Sequence, residues 1–211
     1  VQAENPVRVI LELNSESIAD LKKKVTLTFS KKQIYLSLDP FCPAALEDEL
    51  AELLSFLVDE GFKNWVVNNP AHITVLRGKQ VHLIGGPYLY TFNRWAVSWL
   101  ENQNVQVFIS PLENSRRNLE ATYEMSQRGR VLVPIFAYPA LFRMRFKLPT
   151  SYDFTFFSDK EGLTFKALST PDGSFVMPEN PFSIVDKVQF LKKAGFTHYL
   201  SDMSKTHVHK K

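Results

Sequence analysis

Cysteine is nearly missing from this sequence: one thiol, Cys42, stands among 211 residues. A lone thiol closes no internal disulfide and fits a reducing compartment. Long apolar runs are missing as well, since none approaches the about 20 residues that cross a bilayer. The opening residues "VQAENP" lack the basic start and apolar stretch of a signal peptide. The cytoplasm is therefore the expected compartment, and no membrane partner is expected. Charge of one sign is scarce: 25 Lys and Arg against 22 Asp and Glu leave a formal +3. That excess is too small to argue for nucleic acid by itself. No G-x-G-x-x-G or G-x-x-x-x-G-K-[ST] phosphate loop occurs, no H-E-x-x-H, no G-x-S-x-G, and no short-period repeat.

What is there is ordinary globular material. Hydrophobic residues make up 45% and charged residues 22%, and 17 Phe imply a core with aromatic bulk. The length suits one substantial domain, taken as residues 1–204, with a polar, flexible tail at 205–211. The chain begins at Val1 and enters a strand within a few residues, which reads as a piece of a longer or processed polypeptide.

Short β-rich runs alternate with amphipathic ones. Strands are expected at Val7–Leu13, Gln33–Leu38, Asn64–Asn69, Gln80–Gly86, Val105–Ser110 and Arg130–Ala137, with a last one at Thr197–Asp202. A short helix is expected around Ser17–Lys23. Pro43 opens the next, with Leu46, Leu50, Leu53, Leu54, Leu57 and Val58 on one stripe and Gly61 as its stop. Phe92, Trp95, Ala96, Trp99 and Leu100 make one face of another. Asn114 is placed to cap a helix carrying Leu119 and Tyr123. A final helix runs from Asn180-Pro181 to Gly195. Alternation of this kind implies βαβ crossovers and a mostly parallel sheet. After Pro149 the rhythm changes to short strands and tight turns, an antiparallel meander at about 150–178. The expected fold is α/β: a TIM-type (β/α) barrel, or an incomplete arc of about seven parallel strands, since a full barrel takes ~250 residues.

In such a sheet the working rim lies at the C-terminal strand ends. Those ends carry Asn14, Asp39, Asn68, Asn69, Ser110, Glu113, Tyr138 and Asp202. Amides, carboxylates and a phenol gathered there can polarise or protonate a substrate, and Asp39 with Glu113 forms a candidate acid pair for activating water. The same residue types also serve as turn and helix-cap residues. Cys42 near that rim needs a base to act as a nucleophile, and His72 and His82 are the internal choices; a small buried hydrophobe is its other reading. His207 and His209 have metal-ligand spacing but sit in the polar tail. Arg116, Arg117, Arg128, Arg130, Arg143, Arg145 and Lys147 are interleaved with Phe136, Tyr138, Phe142 and Phe146, a composition that binds phosphate and stacks bases. Glu113, Glu120 and Glu124 in the same stretch equally describe a salt-bridged surface.

Several elements together resemble a known family. Tyr90 to Ala96 matches an Asn-rich helix start, Ser110 to Asn114 a Ser-Pro-Glu-Leu element, and Pro139, Leu141 and Phe142 a Pro-Leu-Met element. Asp159, Gly162 and Phe165 match an Asp-Arg-x-Gly-x-x-Phe segment, and "NPFSIVDKVQFLKKAGFTHYLSD" a closing helix and strand. In this order they resemble the collagenase-like peptidases of family U-32, over about Val7 to Ser204, as the C-terminal region of a longer member. The resemblance implies a peptidase without an established nucleophile or metal set, acting on protein or peptide. Leu112 and Glu113 stand in swapped order relative to the family element. Many members carry four cysteines that hold an iron–sulfur cluster in relatives hydroxylating RNA or ubiquinone precursors. Cys42 alone cannot ligate one, so no cofactor and no metal are expected. Asn68, Asn93, Ser110, Tyr138 and Arg143 are the expected substrate-binding residues. The second class of function is a non-catalytic barrel module that binds a substrate, or RNA through Arg116 to Lys147, beside other domains of a longer chain.

Overall fold

Four helices begin on a polar capping side chain, and two of these caps, Asn14 and Asn69, stand just past a strand. The computed structural model describes residues 5–149, 151 and 156–204; the expected tail, with His207 and His209, lies outside the described residues. Asn14 accepts from the Ser17 N–H and opens α1 (Ser15–Lys22), with Ser17 returning the bond. Asn69 caps α3 (Pro70–Leu76), and Asn93 caps α4 (Arg94–Asn102). Ser115, rather than the expected Asn114, caps α5 (Arg116–Thr122). Asn114 is drawn instead into a turn, its N–H on the Pro111 carbonyl. Helix α2 (Glu47–Asp59) follows a 3-10 turn at Ala44–Leu46, and Gly61, at φ +93°, stops it as its position predicts.

Between these helices lie β1 (Val9–Glu12), β2 (Ile34–Ser37), β3 (Asn64–Val67), β4 (His82–Gly85), β5 (Val105–Ile109) and β6 (Val131–Ala137). They pair in parallel in chain order, and β12 (His198–Ser201) adds in parallel beyond β6. Short antiparallel β11 (Phe182–Ser183) covers the end of β6. Helix α6 (Val188–Lys193) runs between β11 and β12. The seven parallel strands curl into a half-barrel, because each twisted strand is rotated against the last. Among the described residues β1 pairs only with β2, so the arc stays open.

A second sheet is antiparallel, in the order β7-β10-β9-β8: β7 (Phe142–Met144), β8 (Phe157–Ser158), β9 (Thr164–Thr170) and β10 (Gly173–Pro178). It begins before the expected 150, because β7 pairs with β10 through Arg143 and Phe175. That partner lies some thirty residues ahead, and nothing local in Phe142–Met144 announces it.

Alternate residues on the parallel strands feed two cores. One face packs under the helices, with Leu36, Trp65, Val67, Phe108 and Val131 against Leu54, Leu57, Val97 and Leu100. The other face gathers Val66, Ile84, Ile109 and Leu132 in the hollow of the arc. All four residues of β3 are buried, as a strand covered on both faces requires. Helix α4 corrects the sequence reading. Its buried face is Val97 and Leu100, while Trp95 is 87% exposed and Trp99 48%. The Asn93 cap fixes where the helix starts, and the rotation it sets turns both indoles outward.

Candidate functional site

Parallel pairing puts every strand's C-terminal end on one rim, so Asn14, Asp39, Asn68, Asn69, Ser110, Tyr138 and Asp202 share it. Their jobs differ. Asn14, Asn69 and Asn93 spend their side-chain oxygens as helix caps. Asp202 accepts from the Ser204 N–H at 2.9 Å, a local turn. Tyr138 stacks edge-on against Phe136, centroids 5.9 Å apart. Ser110 is buried, donating to the Pro111 carbonyl at 3.1 Å and accepting from Asn114 Nδ2 at 3.4 Å.

Asn68 is the buried amide of the rim. Its Nδ2 donates to the Leu38 carbonyl at 2.8 Å and to Ser37 Oγ at 3.3 Å, tying β3 to the end of β2. Its Oδ1 has no partner among the described residues and lies against Gly86. The bond to the Leu38 carbonyl fixes the amide orientation, since a flipped oxygen would confront that carbonyl. A Cβ at position 86 would stand 1.9 Å from that oxygen, so glycine is required there by space.

The small sheet comes down on this rim at two points. Asp172, in the turn between β9 and β10, accepts from the Ser15 N–H at 3.3 Å and from its hydroxyl. Arg143 on β7 donates to Asp39 Oδ2 at 2.6 Å, and its guanidinium lies 5.9 Å from the Tyr88 centroid and 5.5 Å from that of Phe175. Burial lowers the Arg143 pKa, but the Asp39 and Tyr88 contacts outweigh it and leave it raised. Arg145 lies over the Phe41 ring, 3.1 Å from its centroid. The result is a cation–aromatic cluster of Phe41, Tyr88, Arg143 and Arg145, drawn from the β2 end, the β4 end and β7.

Several expected groupings do not form. Asp39 and Glu113 leave β2 and β5, three strands apart, on the order of 14 Å along the sheet. One water cannot bridge that span, and Asp39 is already paired. His72 is buried, and its Nδ1 is taken by the Asn68 N–H at 3.2 Å. Burial lowers its pKa to about 4. His82 starts β4, at the opposite end of the strand from the rim. Burial pushes the Cys42 thiol up, as do Glu47 and Asp39, which opposes a thiolate. The basic stretch divides as well. Arg128 and Arg130 precede β6 and bind the Ala194 carbonyl and Glu101, about 20 Å from the rim where Arg143 and Arg145 stand. Among the described residues no three His, Cys, Asp or Glu side chains gather as metal ligands, and no helix is long and apolar enough to cross a membrane.

Sequence reading missed Phe41, in the loop after β2, and Tyr88, in the 3-10 turn Pro87–Leu89 after β4. Their signal was only that each follows a strand end. No family model, no curated protein and no solved structure matches this chain.

Proposed function

We propose that the chain is a non-catalytic binding module, and that its rim holds single-stranded RNA. The observation that carries this reading is the cation–aromatic cluster at the Asp39–Arg143 pair. Arg145 is exposed and lies over the Phe41 ring. Phe41 and Tyr88 are 40% and 39% exposed, and Phe142 and Phe146 beside the arginines are 65% and 61%. Exposed rings next to guanidinium groups offer stacking surfaces for bases and donors for phosphates. A short, shallow cluster of this kind suits an unstacked strand better than a duplex.

The peptidase that the U-32 resemblance implies needs an activated nucleophile and a site for the developing oxyanion. Its candidate acids are Asp39, held by Arg143, and Glu113, exposed at the end of β5. Incubation with gelatin and a fluorogenic peptide library is expected to give no turnover. Turnover that disappears in both Asp39→Asn and Glu113→Gln would overturn the binding reading and restore the acid pair.

A further inference from the structure

A cavity of about 510 Å3 lies on the helix side of the sheet, between α5, α6 and the end of β6. Ser110 of the rim lines it, but none of Phe41, Tyr88, Arg143 and Arg145 does. Leu119, Val133, Ile184 and Leu191 form its apolar wall, and Phe190, 54% exposed, stands at its opening. Both charged residues that line it are cations, Arg116 and Lys187. Among the described residues each pairs with one carboxylate: Arg116 Nε meets Glu120 at 2.6 Å, and Lys187 meets Asp186 at 2.6 Å. A guanidinium has five N–H donors and an ammonium three, so both keep donors free to turn toward a ligand. Both side chains are 59% exposed and can swing without leaving a buried partner.

The size falls in the range of small-molecule sites, and the lining combines apolar side chains with two cations and, among the described residues, no carboxylate. A neutral apolar ligand would leave the cations unused. A polar anion such as free phosphate would leave the wall unfilled, forfeiting its dispersion contacts. A carboxylate on an unbranched chain uses both, since a planar carboxylate accepts two parallel bonds from an arginine fork. We propose that this cavity binds a medium-chain fatty carboxylate, its tail against Leu119, Val133 and Leu191 and its head held by Arg116 and Lys187. No bond is made or broken. This inference does not depend on the RNA reading of the rim.

Calorimetric titration of the whole chain with octanoate, decanoate and decanol tests it. Decanoate is expected to bind saturably at one site and more tightly than octanoate, by roughly fourfold for each added methylene that fits. Decanol is expected to bind at least about tenfold more weakly than decanoate, the difference one well-placed charge contact makes. Arg116→Gln with Lys187→Gln, both at exposed positions, is expected to erase that preference while leaving decanol binding as it was. Leu112→Trp, in the half-buried loop at the edge, is expected to block both ligands. Arg145→Gln is expected to leave decanoate binding unchanged, which keeps this test apart from the rim. Equal affinity for decanoate and decanol, no saturable decanoate binding, or unchanged decanoate affinity in the double Gln variant would each overturn the proposal.

Discussion

Asp39 and Arg143 are 104 residues apart in sequence and meet at 2.6 Å. One belongs to the end of β2 in the parallel sheet, the other to β7 in the small sheet, so their ion pair joins the two sheets. Ser15 with Asp172 makes the second tie. The Arg143 and Asp39 side chains are 34% and 47% exposed, so the pair is partly solvated. Asp39→Asn is therefore expected to lower stability by about 1 kcal/mol or less. Its larger effect is local: amide hydrogen exchange in β7 and β10 is expected to speed up, with β3 and β5 unchanged. Equal protection of β7 in the variant and the parent would show that the pair does not hold the small sheet down.

The packing of Asn68 on Gly86 gives a second test. Gly86→Ala drives a methyl into the Asn68 amide oxygen, and Val66 Cγ1 at 3.0 Å leaves little room to retreat. The expected cost is about 3 kcal/mol, at the upper end of overpacking losses. Asn68→Ala alone also destabilises, by cutting the bonds to Leu38 and Ser37. Combined, the two changes are expected to cost less than their sum, because the clash needs both side chains. Additive denaturation midpoints would rule out the contact as the cause.

His72 sets a pH dependence. Burial lowers its pKa from the ordinary 6.5 to about 4, against a smaller upward pull from Asp39. Above pH 6.5 the ring is neutral folded and unfolded, and its contribution is fully present. Between pH 6.5 and about 4 the unfolded chain takes up the proton and the folded chain does not. Stability then falls as pH falls, by about 3 kcal/mol across that window. His72→Gln keeps an acceptor for the Asn68 N–H and removes the titration. Urea unfolding at pH 7, 6, 5 and 4.5 is expected to show a flatter profile in the variant, and parallel profiles would assign the acid sensitivity elsewhere.

The parallel arc was legible because its signals are local. The Leu54, Leu57 and Val58 stripe, the Gly61 stop and the apolar run of β3 each lie within one element. The small sheet was only half legible. The turns at Asp159–Gly162 and Pro171–Gly173 mark β8 to β10, whereas β7 depends on pairing with a distant strand. Helix α4 misled because two faces of it carry bulky residues, and periodicity cannot say which one meets the sheet. The candidate site suffered most from this limit. Asp39 and Arg143 were both singled out, yet their partnership comes from two sheets meeting in space. Asn69 and Asn14 show the reverse case, where a polar residue at a strand end proves to be a cap.

The most direct measurement is the fluorescence anisotropy of a labelled single-stranded RNA titrated with the whole chain at several salt concentrations. The binding reading predicts saturable binding that weakens with salt, since each phosphate contact releases counterions. Arg145→Gln is expected to reduce the salt slope by about one contact, and Phe41→Ala to weaken binding by about 1–3 kcal/mol with the slope unchanged, as loss of a stacked base requires. Trp95→Ala, on the far side of α4 from the core, is expected to change nothing. No binding at low salt, or binding that Arg145→Gln and Phe41→Ala leave intact, would contradict the account.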